Sequence, residues 1–215
     1  MLRYSRPVRV FAASLSALAG FVDAAGFLHL GGLFVSFMSG NSTRLAVAAA
    51  QGQPLTAGVL IATFVCGVTL GALAARRAPP RLRAALVLAL VAVLLGVAGI
   101  LGAVGMALPA GVAMALAMGA ENGVFATEDE VHIGLTYMTG ALVKLGQRLA
   151  GALTGGPRLA FLPYLGLWLG LVAGAVTGAA AYGALGVRCF WIAAMVAAGL
   201  AILALRMGEM LPSEG

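Results

Sequence analysis

Hydrophobic and polar positions in this chain segregate over whole segments instead of alternating within them. Mostly apolar stretches run from Val10 to Phe27, Leu55 to Ala75, Ala84 to Met106, Ala110 to Ala126, Ala160 to Ala181 and Cys189 to Leu205. A helix needs about 20 such residues, with a usual range of about 17–25, to cross the hydrocarbon core of a bilayer. The pattern therefore predicts six spans. Two further segments, Leu33 to Ala50 and Val131 to Leu153, are less apolar and carry hydroxyls, an amide and basic side chains.

Those two segments change character part-way. Leu33-Phe34-Val35-Ser36-Phe37 and Val131-His132-Ile133-Gly134-Leu135-Thr136-Tyr137 are rich in β-branched and aromatic residues, which favour extended backbone. Helix-start residues follow at once: Ser39, Asn41 and Ser42 in the first, Thr139 in the second, each able to accept from early helical N–H groups. Half of a core about 30 Å thick is about 15 Å, which roughly five extended or ten helical residues cover. Each segment is thus expected to be a re-entrant strand/half-helix element that turns back at membrane depth. Non-helical backbone is tolerated there only when protein or a wet cavity surrounds it.

The basic residues bear on the same question, because cytoplasmic loops collect Lys and Arg. With neither segment crossing and the N-terminus inside, Arg3, Arg6, Arg9, Arg76, Arg77, Arg81, Arg83, Lys144, Arg148, Arg158 and Arg206 fall on the cytoplasmic side, and only Arg44 and Arg188 fall outside. Full crossing by both would put the Arg76 to Arg83 cluster opposite the N-terminal arginines. Six spans with both termini cytoplasmic is the expected topology.

The chain also repeats itself. Phe37-Met38-Ser39-Gly40 is followed by Arg44-Leu45, and 100 residues later Tyr137-Met138-Thr139-Gly140 is followed by Lys144-Leu145. Upstream, Gly20-Phe21-Val22-Asp23 lies over Gly119-Ala120-Glu121-Asn122 at an offset of 99. Self-similarity of this kind defines the units of a fold. The first membrane repeat is residues 1–106, with re-entrant element 33–50, and the second is 107–215, with element 131–153. Three spans per repeat is an odd number, so the second copy enters the bilayer upside down. Inverted repeats of this kind recur in secondary transporters.

Composition excludes most other classes. With 62% hydrophobic and 9% charged residues and a mean hydropathy of +1.05, the chain is expected to be an all-α integral membrane protein. The net charge of +6 gathers on the cytoplasmic side as insertion requires, and no aromatic-basic surface points to nucleic acid. Cys66 and Cys189 stand alone, without CxxC or metal-ligand spacing, so neither a cofactor nor a metal is expected. Residues 1 to 22 imitate a signal peptide ending at Ala17-Leu18-Ala19, but cleavage would remove a span whose Asp23 neighbourhood is mirrored in the second half.

The residues Gly20-Phe-Val-Asp23-Ala, Gly-Gly-Leu-Phe34-Val, Met38-Ser-Gly-Asn41, Gly119-x-x-Asn122-Gly and Tyr137-Met-Thr-Gly140 resemble the YoaK-type family of bacterial multispanning membrane proteins, known for a domain of unknown function. The resemblance covers nearly the whole chain and is densest over residues 20 to 50. Ser39 departs from the threonine more usual in the family, though it keeps the hydroxyl. The resemblance implies a bacterial plasma-membrane location and several spans. It supplies no substrate.

Candidate chemistry comes from polar residues inside the apolar segments. A carboxyl there costs at least about 2.5–3.5 kcal/mol on insertion scales, so Asp23 and Glu121, with Asn122 beside it, should face the protein interior. They are candidate proton- or cation-binding groups, or partners of exposed re-entrant backbone. Arg44 and Lys144, one turn into the half-helices, join the helix starts at Ser39-Gly40-Asn41 and Thr139-Gly140 as a candidate anion site. Snorkelling is the plainer reading of both cations. His29 and His132 flank the two elements at positions that do not correspond, and Gly67/Gly71 and Gly170/Gly174/Gly178 form close-packing faces that would also serve homo-oligomers. The expected function is a secondary transporter of a small anion or polar metabolite, not an enzyme, with a midplane site between the repeats. A passive channel and a non-transporting assembly or signalling protein are the alternatives.

Overall fold

The computed structural model describes residues 5–125 and 138–208. Among these residues the chain forms eight α-helices: α1 Arg6–His29, α2 Met38–Ala50, α3 Thr56–Arg77, α4 Arg83–Ala103, α5 Ala107–Glu121, α6 Met138–Leu153, α7 Leu162–Leu185 and α8 Cys189–Arg206. Short 3-10 turns follow or join them at Pro80–Leu82, Asn122–Phe125 and Gly186–Arg188. Five stretches are long and apolar enough to cross a membrane: Arg6–His29, Thr56–Arg77, Pro80–Ala103, Ala107–Phe125 and Leu162–Arg206. The last is 45 residues long and contains both α7 and α8, so length and composition count five where the sequence pattern predicts six.

Two helix pairs are held by backbone-to-backbone contact. Gly170, Gly174 and Gly178 of α7 lie against the carbonyls of Ala13, Ala17 and Phe21 of α1, and Gly20 of α1 lies against the Leu171 carbonyl of α7. Residue numbers rise together, so α1 and α7 run parallel. A Cβ at Gly174 would collide with the Ala17 carbonyl, and only glycine lets two helices approach this closely. The second pair is α3 with α5, where Gly67 and Gly71 meet the carbonyls of Leu116 and Ala120, and Gly119 meets that of Phe64. These helices also run parallel. The glycine-rich faces of the sequence are thus internal packing surfaces.

Helices α4 and α8 run antiparallel: Gly99 lies under the Trp191 ring, Gly102 beside Val187 and Phe190, and at the other end Gly208 meets Arg81. Leu88, Val91 and Leu95 of α4 and Ala193, Ala197 and Ala204 of α8 are buried between them and the α1 and α5 faces. Ser16 of α1 is buried and donates to the Leu167 carbonyl of α7 at 3.1 Å, which satisfies its hydroxyl inside the parallel pair.

Helices α2 and α6 stand apart from this core. Among the described residues each packs chiefly on one neighbour, α2 on α3 and α6 on α7, and α2 and α6 share no extensive interface. Each has a single buried residue, Asn41 in α2 and Ala141 in α6. Their other residues are half-buried or exposed, with Val47, Leu142, Val143 and Leu149 among the exposed ones. No strand forms among the described residues. The extended piece expected over Leu33 to Phe37 is instead an irregular strap, because its backbone groups bond to side chains and not to a neighbouring strand. Its expected counterpart, Val131 to Tyr137 with His132, lies outside the described residues.

Candidate functional site

The strap begins where α1 ends. Gly31 and Gly32 have φ of 64° and 104°, and the Gly32 N–H returns to the Phe27 carbonyl at 2.7 Å, closing the helix with a left-handed turn that residues bearing a Cβ rarely adopt. The chain then folds back along α1, and Val35 packs its side chain against Gly26. Two polar side chains receive it. The N–H groups of Val35 and Ser36 donate to Asp23 Oδ1 at 2.9 and 2.7 Å. Asn41, fully buried, accepts from the Phe34 N–H at 3.0 Å and donates its Nδ2 to the Phe34 carbonyl at 2.6 Å.

Asp23 and Asn41 therefore do for the strap what a neighbouring strand does in a sheet. An unpaired backbone group away from water costs about 1–3 kcal/mol, so this clamp decides whether irregular backbone can exist inside the apolar fold. Helix α2 follows at Met38 without a side-chain cap. Ser42 and Thr43 donate backward to the Met38 and Ser39 carbonyls at 2.9 and 3.3 Å, so the expected capping by Ser39, Asn41 and Ser42 does not form.

Arg44 lies one turn beyond. Its guanidinium carbon is 5.6 Å from the ring centres of both Phe27 and Phe34, and no carboxylate pairs with it among the described residues. Phe27 and Phe34 touch each other at 4.8 Å between centroids, and Phe34 meets Phe37 edge-on at 5.1 Å. Gly40 makes room for this cluster, since a Cβ there would strike the Phe37 ring. Nearby, His29 Nδ1 hydrogen-bonds the Tyr182 hydroxyl at 3.1 Å, and both rings pack on Phe190.

The second half carries a different set. Asn122 donates its Nδ2 to the Met118 carbonyl at 3.0 Å. Glu121 is 0% exposed, and neither of its carboxyl oxygens has a hydrogen-bond partner among the described residues. Thr139 is exposed and Gly140 half-buried at the start of α6, matching Ser39 and Gly40 at the start of α2. Lys144 is exposed and unpaired among the described residues, like Arg44.

The family model described as "Protein of unknown function (DUF1275)" matches residues 11–203. The chain belongs to the DUF1275 family. It is also 35% identical over 194 residues to a UPF0700 transmembrane protein of Rhizobium meliloti (strain 1021), covering 86% of this chain and 80% of that protein. No solved structure matches it. This DUF1275 chain is a membrane protein, with several helices of spanning length and a transmembrane relative.

Two cavities flank α1 in this DUF1275 fold. One, of about 300 Å³, lies between α1, α7 and the strap and is lined by Asp23, Phe27, Phe34, Leu171 and Ala175 among others. The other, of about 360 Å³, lies between α1, α7 and α8, with Ser14, Thr177 and Ile192 in its wall. Of the sequence candidates only Asp23 lines either one, and Ser39, Asn41, Arg44, Glu121, Asn122, Thr139, Gly140 and Lys144 line neither. What sequence reasoning missed is the receiving backbone of Phe34 and the aromatic seat under Arg44. The signal was present in Gly31-Gly32, a turn placed so that the next residues fall back on the helix they have just left.

Proposed function

We propose that this protein is a secondary transporter of a small anion or polar metabolite, built of two inverted three-span repeats in the bacterial inner membrane with both termini in the cytoplasm. The observation that carries the reading is a match of contact register between the halves. Gly20 meets the Leu171 carbonyl and the Ala175 nitrogen, and Gly119 meets the Phe64 carbonyl and the Val68 nitrogen. Gly119 stands 99 residues after Gly20, while Leu171 and Ala175 stand 107 after Phe64 and Val68. The same two offsets carry Gly67 on Leu116 to Gly174 on Ala17, and Gly71 on Ala120 to Gly178 on Phe21. One operation relating α1 to α5 and α3 to α7 accounts for all three contacts.

That operation exchanges the two parallel pairs and maps the antiparallel α4 and α8 onto each other. It is what a two-fold axis in the membrane plane does, and it favours α7 and α8 as two separate crossings. Helices α2 and α6 correspond as well: both close with a glycine at positive φ, Gly52 at 64° and Gly155 at 93°, and both bury only their fourth residue. In this reading the strap and α2 form an outer re-entrant element, α6 forms an inner one, and Arg44 and Lys144 bring positive charge to the two mouths. The bilayer and a small solute are the partners, and no catalytic residues are assigned.

Reporter fusions after Gly52 and after Gly155 test the architecture: the first is expected outside and the second inside, and the same side for both would overturn the inversion. Uptake tests the activity. A thermal-shift screen of purified protein against small anions, cations and metabolites selects a ligand, since binding to the folded state alone raises stability. Flux of that ligand into proteoliposomes, responsive to a pH gradient, is the expected result. Flux that only follows its own gradient through an open path would favour a channel.

A second reading has its own observation. Both cavities are walled mainly by apolar side chains, and Asp23 is already engaged with Val35 and Ser36. A non-transporting assembly protein that uses the outward faces of α2 and α6 fits these facts, and absence of flux for every stabilising ligand would favour it.

A further inference from the structure

The two halves differ most sharply at one buried position. Under the 99-residue offset, Asn122 is the counterpart of Asp23, and Glu121 is the counterpart of Val22. Val22 is an ordinary core residue, 1% exposed, and its neighbours Leu18 and Ala19 belong to the same cluster as Met114, Ala117 and Met118 of α5. The repeat architecture thus asks for an apolar side chain at position 121. It holds a carboxyl instead, fully buried and with both oxygens unpartnered among the described residues.

Among the described residues no counter-charge pairs with it. Helix α5 packs against α1, α3 and α4. Their ionisable groups are Arg6, Arg9, Asp23 and His29 on α1, Cys66, Arg76 and Arg77 on α3 and Arg83 at the start of α4, and neither Glu121 oxygen takes a hydrogen bond from any of them. An isolated ionised carboxylate is costly in such a place, so loss of the proton calls for water or a cation admitted by a change of conformation. A neutral carboxyl without partners still costs a few kcal/mol relative to valine, which leaves its presence unexplained by packing.

We propose that Glu121 is a proton-binding site, and that it, and not Asp23, is the coupling carboxyl of the transport cycle. Asp23 already has a structural task, because two backbone N–H donors of the strap bond one of its oxygens. Glu121 has no structural bond to lose when its proton leaves. The coupling role rests on the transporter reading above, whereas the proton site itself does not.

Dicyclohexylcarbodiimide tests the site without any transport assay, because it reacts with protonated carboxyls in apolar surroundings. The acid proton moves to a carbodiimide nitrogen as the carboxyl oxygen bonds the central carbon, leaving an adduct visible by mass spectrometry. Full-length protein in lipid nanodiscs is treated at steps from about pH 5 to about pH 10, a range wide enough to follow carboxyls in wet and in apolar surroundings. The expected result is an adduct on Glu121 that declines at least tenfold towards the alkaline end, with little on Asp23, and its loss in Glu121→Gln. Glu121→Val, which restores the residue type of the other half, serves if the glutamine variant does not fold. An infrared band of a protonated carboxyl that vanishes in the same variant is the second readout. Labelling of Asp23 in place of Glu121 would overturn the proposal. So would a Glu121 adduct that does not change with pH, since a permanently neutral acid carries no proton anywhere. A pH-dependent adduct with no flux would remove the transporter reading and keep the site.

Discussion

The end of α1 with its strap and the end of α5 start from similar sequence, and their described carboxyls are placed differently. In the first half Asp23 and Asn41 are both occupied by backbone, one by Val35 and Ser36 and the other by Phe34. In the second half Asn122, just past the end of α5, donates to the Met118 carbonyl among its bonds, Ala141 stands where Asn41 does, and the carboxyl sits one position earlier at Glu121, where no described residue bonds it. A carboxyl shifted by one position on a helix turns about 100° and faces a different neighbour. Similar helix packing at the two places thus accommodates one carboxyl that holds backbone and another that no described residue bonds.

The comparison breaks most readily at Asp23. Asp23→Ala strands two buried N–H donors and is expected to destabilise the protein by about 2–5 kcal/mol, whereas Glu121→Ala is expected to cost less and Glu121→Val to be neutral or stabilising. Unfolding monitored by circular dichroism in detergent against a denaturant series ranks the three. A larger loss at Glu121 than at Asp23 would mean that the two carboxyls have been assigned the wrong way round.

The matched glycines sharpen the symmetric side. Gly174→Val and Gly67→Val each push a branched side chain into a partner carbonyl and should cost about 3 kcal/mol or more, with similar losses for the two. Yield of monodisperse protein on size exclusion reads this directly. A severe defect in one and none in the other would argue that only one of the parallel pairs is tightly packed.

Smaller effects are expected around α2. Asn41→Ala is expected to cost about 1–2 kcal/mol through the Phe34 backbone, and limited proteolysis at Gly31-Gly32 should become faster. Arg44→Ala removes an exposed cation from two rings and should change stability by about 0.5–1 kcal/mol at most. Its larger consequence is expected in ligand affinity: a screen hit that is anionic should bind Arg44→Ala more weakly, and unchanged affinity would assign Arg44 to the interface and not to the site.

Much of this fold can be read from the chain, and the unread part has a common cause. Segment length and hydropathy locate α1, α3, α4, α5, α7 and α8 to within a few residues, and the Met-Ser/Thr-Gly elements locate the starts of α2 and α6 at Met38 and Met138. Which face of each helix is buried is not legible. In a membrane protein the lipid-facing and core-facing positions are both apolar, so Leu88 and Val91, fully buried in α4, look no different in sequence from the exposed Leu86 and Val93. The strap reads as strand-like because Phe34, Val35 and Phe37 carry strand propensity, while in the fold side chains distant in sequence bond its backbone. Asp23 is legible as a buried polar residue, but the choice between holding backbone and holding a ligand is not, since both demand the same residue type. The pairing of α2 with α3 and α6 with α7 depends on three-dimensional neighbours that no local pattern encodes.

The parallel pairing of α1 with α7 has a consequence for how the protein is made. Ala17 emerges from the ribosome 157 residues before Gly174, the residue that covers its carbonyl. At about 5–20 residues per second the first helix waits roughly 8–30 s in the insertion machinery or in lipid with its closest packing face uncovered. During that interval α3 and α5 can already meet, because the whole of that pair has been synthesised by residue 125. Synthesis thus makes the α3–α5 pair available before the α1–α7 pair, and a chain truncated before α7 leaves the glycine-covered face of α1 open.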